Sequence, residues 1–324
     1  MLLKILPART WLYGFLIMFG LSLFFYAVLG WGAKHSITQQ VLKREQTLVR
    51  AQAGNITSFF QIFGESIAIF SHLSSLNERN EETIQDMDAF MDKWGDRGLV
   101  AGIVLTDSDG VVRFNSNVSG TRDLGASLAD RGYFAWAQDS TSRETYIIGE
   151  PVVSKLGASK GQVIVPVVSP IYLDESFSGV VAASVILKPL TERNLDLLRV
   201  SDETNVYLVD QSGNILYNSS TPSFLGANIF NDFEDNLFTR SQALDDLVRN
   251  IFSKTEAGKL RIQDQLVAFS PVVLSNQKWL LVTASPSREV NDVLNPIYLR
   301  QTSVLVVTFL TFMLFGIIAA RSKS

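Results

Sequence analysis

Val104-Leu105-Thr106-Asp107-Ser108-Asp109-Gly110-Val111-Val112-Arg113-Phe114-Asn115-Ser116 is the stretch on which the fold turns, because the chain repeats it about a hundred residues later. The second copy reads Tyr207-Leu208-Val209-Asp210-Gln211-Ser212-Gly213-Asn214-Ile215-Leu216-Tyr217-Asn218-Ser219. Leu105, Asp107, Gly110, Asn115 and Ser116 meet Leu208, Asp210, Gly213, Asn218 and Ser219. Each copy is two apolar runs around a turn of Asp, Ser and Gly, which is a hairpin signal. Farther on, Leu124-Gly125-Ala126 matches Leu225-Gly226-Ala227, and Ser169-Pro170 matches Ser270-Pro271. Each Ser-Pro leads into a final apolar strand, at residues 180–187 and 280–284. Three matches in one order at nearly one offset mark a duplicated α/β module.

Outside the repeat the hydrophobic period changes from that of strands to that of helices. Ile56, Phe59, Phe60, Phe63, Ile67, Phe70 and Leu73 step by three and four, one face of a helix. Ile37, Val41 and Leu48 carry the pattern back, so residues 36–75 predict a helix of roughly 60 Å at 1.5 Å per residue. Gly54 and Gly64 weaken it locally by up to ~1 kcal/mol each. The acidic segment 77–92 reads as another helix, and residues 188–200 as a short connecting helix opening on Pro189-Leu190-Thr191. After the second copy, Val290, Val293, Leu294 and Ile297 return to helical spacing, with Pro296 a kink candidate.

Two uncharged apolar runs bracket everything else. Residues 11–33 and 302–320 contain no Asp, Glu, Lys or Arg, and each is about the ~20 residues that a membrane-crossing helix needs. The first exceeds a signal-peptide core of ~7–15 residues and ends without a small-x-small cleavage site, so it reads as an uncleaved signal anchor. Lys4, Arg9, Arg321 and Lys323 put both tails in the cytoplasm by the positive-inside rule. The charged residues 34–300 then lie together on the other face.

Composition narrows the chemistry. Across 324 residues the net charge is −4, which leaves no electrostatic footprint for nucleic acid. There is no cysteine, so disulfides, thiolate catalysis and Cys-ligated metals are excluded. His35 and His72 are the only histidines, both on the N-terminal helix, so His-metal sites and Ser-His-Asp triads lack parts. No Walker loop, G-x-G-x-x-G after a strand or G-x-S-x-G elbow is present. Asp107 and Asp109 are two carboxylates in a turn, far short of a calcium loop. The reading is no enzyme, no cofactor and no metal.

A signal anchor, a long helix, a duplicated module and a second span together resemble the double-Cache (dCache) sensors of bacteria and archaea. The resemblance covers residues 34–300. It rests on the paired hairpins, on Asp130-Arg131-Gly132-Tyr133-Phe134, similar to the family's Asp-Arg-x-Tyr-Phe box, and on a closing strand running from Gly179 to Leu187. It implies an α+β fold: two tandem PAS-like modules with antiparallel sheets along a long N-terminal helix, flanked by two transmembrane helices. The implied map is cytoplasmic residues 1–10, a span at 11–33 and the long helix at 34–76. A membrane-distal module follows at 77–187, a connecting helix at 188–200 and a membrane-proximal module at 201–286. A juxtamembrane helix at 287–301, a span at 302–320 and a cytoplasmic tail at 321–324 complete it.

The family holds its small ligand in the distal module, which by position assigns ligand contact to Arg131, Tyr133, Trp136, Tyr146 and Ser184. An Arg fork holds a carboxylate in bidentate geometry, and aromatic walls supply apolar contact. The subgroup that binds amino acids carries Tyr before the Arg, Trp-Tyr after it and Asp on the closing strand. Here Ala126, Tyr133-Phe134 and Ser184 stand at those places. A buried ammonium without a carboxylate is costly, so a small carboxylate or a neutral metabolite is the expected ligand. The proximal module, with Asn228 to Phe233 and no Arg at the equivalent place, is expected to have a smaller or filled pocket. The implied protein is a two-pass sensor of the bacterial inner membrane working as a homodimer; because the tail after Ala320 is too short to act alone, either a separate protein reads the signal or the chain is a truncated gene product. The alternative is an extracytoplasmic scaffold that binds proteins and no small ligand.

Overall fold

The structure is a computed structural model and describes residues 8–139, 141, 143, 145–220, 228, 256–262 and 264–321. Helix α1 (Ala8–Phe70) runs unbroken for 63 residues, through the apolar run and the amphipathic stretch alike. It stops at Phe70, five residues short of the sequence expectation. The short α2 (Ser74–Glu78) follows and ends on Arg79 in the left-handed conformation. Helix α3 (Glu81–Gly95) opens on a capping box in which the Asn80 side chain accepts from the N–H of Glu82 and Thr83. That box satisfies donors every helix start leaves open.

Two antiparallel sheets follow, and the duplication is visible in their wiring. The first contains β1 (Val100–Thr106), β2 (Val112–Asn117), β3 (Ile147–Ile148), β4 (Val152–Val153), β5 (Val163–Leu173) and β6 (Ser176–Ile186), in the order β2-β1-β6-β5-β3 with β4 on β5. Helix α4 (Gly132–Ala137) lies between β2 and β3 in sequence. Helix α5 (Leu187–Leu195) carries Pro189 in its first turn, where no N–H is needed, and gives way to a 3-10 turn at Asp196–Leu198. The second sheet contains β7 (Asn205–Asp210), β8 (Ile215–Asn218), β9 (Gly258–Ile262), β10 (Gln265–Val273) and β11 (Lys278–Pro286), in the order β8-β7-β11-β10-β9. The orders are the same, and Ser169-Pro170 and Ser270-Pro271 sit on the equivalent strands β5 and β10.

The repeated Asp and Gly make the same turn twice. Asp107 Oδ1 accepts from the N–H of Asp109 (3.0 Å) and Val111 (2.9 Å), while the Gly110 N–H donates to Asp107 O with φ +78°. In the second copy Asp210 Oδ1 accepts from Ser212 (2.8 Å) and Asn214 (2.9 Å), and Gly213 repeats the bond at φ +88°. The carboxylate stands in for a backbone carbonyl, and glycine takes a φ that side chains avoid. Just beyond, Val111 bridges to Ser127 and Asn214 to Asn228. Most of residues 225–233, on which the expectation for the second module's pocket rests, lie outside the described residues.

One face of each sheet packs on α1. Ile56, Phe60, Phe63 and Ile67 are fully buried against Ile103, Leu105, Ala183 and Val185 of the first sheet and Val206, Leu208 and Leu281 of the second. The Trp279 ring meets Phe60 edge-on at 5.5 Å. At ~1.5–3 kcal/mol for each fully buried large apolar side chain, this shared strip outweighs the local cost of Gly54 and Gly64. Gly64 also has a packing reason: the Tyr146 ring lies so close that a Cβ there would sit 2.1 Å from it.

The second sheet also grips the first at its edge. Strand β3 turns the N–H and C=O of Ile148 outward, and Asn276, in the β10–β11 loop, meets both. Asn276 Oδ1 accepts from Ile148 N and Nδ2 donates to Ile148 O, each at 3.0 Å. Gln277 Nε2 adds bonds to the carbonyls of Ile148 and Gly149. A side-chain amide thus does what a neighbouring strand would do.

A separate unit comprises residues 1–44, 260–266 and 285–324. There the final helix α6 (Arg288–Arg321), with Pro296 inside it, runs beside the first part of α1. Leu42, Leu266, Val290 and Leu294 form its buried cluster, Tyr298 donates to Gly30 O, and Tyr26 shares a 2.9 Å hydrogen bond with Thr302. Both helices are long and apolar enough to cross a membrane, with exposed Leu16, Ile17, Val307 and Leu310 among the residues of their apolar stretches.

Candidate functional site

The first sheet has a second face, set by strand alternation. If Ile103 and Leu105 point to α1, then Gly102 and Val104 point away, and the same parity sends Ala182 and Ser184 of β6 and Ile164 and Pro166 of β5 with them. Register aligns these residues into rows. Gly102 pairs with Asn117 on one side and Ser184 on the other, and Ser184 with Pro166; Val104 pairs with Asn115 and Ala182. Gly102 keeps the floor low, since a Cβ there would meet the Asn117 Cβ at 2.7 Å.

Over this floor lies a cleft of about 40 Å³, open to solvent at its mouth and lined also by Asn115, Asn117, Leu128 and Tyr133. Residues 154–159 cover it. Their loop is tied down internally by Ser159 Oγ to Ser154 Oγ (2.9 Å) and Ser154 Oγ to Leu156 O (3.0 Å), and externally by the Gly157 N–H to Asp123 Oδ2 (2.7 Å). Gly157 has φ +61° and sits against the Asn117 amide.

The charged lining is Arg131 and Lys155, and no Asp or Glu lines the cleft among the described residues. Lys155 Nζ is paired with Asp130 Oδ2 at 2.7 Å, and that hydrogen bond holds the Asp130 carboxyl below the usual range. Arg131 is half-buried, and one of its Nη atoms reaches Val153 O at 3.2 Å. Among the described residues no hydrogen-bond partner takes the remaining N–H groups of its fork. Burial pushes the Tyr133 phenol up to about 12, Arg131 pulling against it, so this hydroxyl is neutral at physiological pH.

Arg131, Tyr133 and Ser184 therefore line one cleft, while Trp136 and Tyr146 do not. Trp136, one turn past Tyr133 on α4, packs with the cluster of Phe134, Ala137 and Val180. Tyr146 lies on α1 and lines a different concavity with Thr57, Gln61 and Glu65; burial, then the Glu65 charge, raises its phenol. Sequence reasoning missed Asn115, Asn117 and the covering loop. Asn115 was in view as a repeat position, matching Asn218, but its direction depends on register.

Two antiparallel sheets on one long helix, with a cleft over the outer face of the first, define a double-Cache architecture. The chain belongs to the Cache domain family, whose profile matches residues 33–294. The fold is similar to an extracellular ligand binding receptor from Desulfohalobium retbaense (12% identity, TM-score 0.56), over 74% of this chain and 39% of that one. It is similar to methyl-accepting chemotaxis protein X (15%, TM-score 0.56), over 76% of this chain and 98% of that one. It also resembles the ligand-binding domain of the Pseudomonas fluorescens chemoreceptor CtaA in complex with L-alanine (15%, TM-score 0.53), over 76% and 97%. This chain thus spans well under half the length of the first of these. A comparison with curated proteins gave no significant match.

Proposed function

We propose that this protein is a membrane-anchored extracytoplasmic sensor, not an enzyme, that binds a small carboxylate in the cleft of its first, membrane-distal module. One observation carries the reading: Arg131 faces a cleft whose other cation is already paired and whose described lining holds no carboxylate. A guanidinium fork takes a carboxylate in two parallel bonds, and the Tyr133 phenol stays a neutral donor beside it. CtaA was solved with L-alanine, but here the described lining offers no acid for an α-ammonium, and leaving that charge unpaired is costly.

Binding would bias an equilibrium between two arrangements of the sheets on α1, read at the two spans by a separate signalling protein, with a homodimer as the working unit. A ligand shifts such an equilibrium only by its differential affinity, typically ~1–3 kcal/mol of coupling. The test is a thermal-shift screen of the full chain in lipid nanodiscs with small carboxylates, amino acids and neutral metabolites. A carboxylate at a hundredfold over its Kd adds about 2.7 kcal/mol, and Arg131→Gln removes that gain. No stabilisation by any small molecule, with the folded chain still capturing a protein partner, would favour the scaffold instead. Ligand-dependent crosslinking between cysteines engineered into residues 11–33 and 302–320 then tests signalling through the spans.

A further inference from the structure

Resting on that reading of the cleft, we infer that Asn115 is its specificity residue, and that the ligand is a carboxylate bearing a second oxygen acceptor, a hydroxy or oxo acid. Asn115 is 2% exposed, and among the described residues its Nδ2 has no hydrogen-bond partner. The orientation of this amide is fixed by its neighbour. Asn117 Oδ1 receives the backbone N–H of Ser119 (3.1 Å) and the hydroxyls of Ser119 and Thr121. A backbone N–H can only donate, so the atom facing it is the oxygen.

Asn117 Nδ2 must then face the other way, where it donates to Thr121 O (2.6 Å) and Asn115 Oδ1 (3.0 Å). That engages the Asn115 oxygen and leaves its NH2 as the buried, unpaired end. Turning the Asn115 amide over would set two NH2 groups against each other. The backbone beneath cannot drift either, because Arg122 Nη1 donates to Asn115 O at 2.6 Å while its other nitrogen pairs with Asp88 at 2.9 Å. Asn115 lines the cleft, so a ligand seated at the Arg131 fork and reaching its buried NH2 would find a donor of fixed orientation there.

Such a donor discriminates by what stands opposite it. A hydroxyl or carbonyl oxygen accepts from it; a methylene leaves it unpaired; an ammonium opposes it donor to donor. Four acids of one three-carbon skeleton isolate this choice: propionate, L-lactate, pyruvate and L-alanine. Titration calorimetry on the full chain in nanodiscs should give lactate or pyruvate binding roughly 5- to 150-fold tighter than propionate, the range of one unsatisfied buried donor. L-alanine should bind more weakly than lactate. The matched set of succinate, L-malate and L-aspartate extends the test to a longer skeleton.

Asn115→Leu should bring the ratio of lactate to propionate affinity to about one, whatever it does to both acids together. If that variant does not fold, Asn115→Asp, of the same shape, should lose pyruvate, whose keto oxygen can only accept, and gain L-alanine. A preference for the oxygen-bearing acids that survives Asn115→Leu, or wild-type propionate binding as tightly as lactate, overturns the inference. Arg131→Gln separates this from the parent reading: it should weaken all the acids together. If it weakens none, the carboxylate site itself is wrong; if it weakens all while Asn115→Leu changes no ratio, only the role of Asn115 is. Binding by none of the seven acids overturns both.

Discussion

Replacing Asn276 by alanine removes two hydrogen bonds that join sheets whose strands are more than a hundred residues apart in the chain. The Ile148 carbonyl keeps a partner, since Gln277 Nε2 still donates to it at 2.9 Å. The Ile148 N–H does not: its partner was Asn276 Oδ1, and the residue is 1% exposed. A buried donor left unsatisfied costs about 1–3 kcal/mol, and nearer 0.5–1.5 if water reaches it. Because 1.4 kcal/mol is a factor of ten, amide exchange at Ile148 should speed up about 5- to 150-fold where exchange reports local opening. Hydrogen exchange on peptides covering Ile148 reads this directly. The change should stay on β3 and the 274–277 loop, leaving the buried strands β1 and β7 protected as before. Unchanged protection at Ile148, or an equal loss over both sheets, would refute the idea that one side-chain amide clamps the edge of the first sheet.

The duplicated turns should respond alike: Asp107→Ala and Asp210→Ala each strip two backbone N–H groups of an acceptor and should cost about 1–3 kcal/mol by denaturant titration. Asp107 also sets an acid limit. Burial works to raise its carboxyl, but the Val111 N–H, Arg113 and the Asp109 N–H outweigh it and hold it low. Its contribution is thus present above the unfolded value of about 3.9 and lost as pH falls through the lower folded value. The stability gap between wild type and Asp107→Asn should therefore close below about pH 4; a gap constant from pH 7 to 3 would contradict the pairing. Gly179, at φ +142° and with a virtual Cβ 2.2 Å from Thr106 O, should lose about 2 kcal/mol or more as Gly179→Ala, measured as a fall in Tm.

Whatever depends on near neighbours was legible along the chain. The hairpins were legible because Asp107 with Gly110, and Asp210 with Gly213, close their turns within four residues. The long helix was legible because Ile56, Phe60, Phe63 and Ile67 fall on one face at 3.6 residues per turn. The duplication then implied one wiring for both sheets, since equal segments find equal partners. Arg131 and Tyr133 came out on one cleft because they flank the start of a single short helix. Trp136 shares that helix but points elsewhere, a matter of one further turn and of what packs there. Tyr146 lies on α1 because Gly64 leaves room for its ring, which no pattern local to either residue records. The chemistry of the cleft wall came instead from contacts between distant segments. Strand register put Asn115 and Asn117 on the face that α1 leaves free, a fixed amide chain left one NH2 of Asn115 without a partner, and Asn276 reached Ile148 across 128 residues. Register and docking are settled by the summed burial of whole faces, and that sum is not written in any short stretch of the chain.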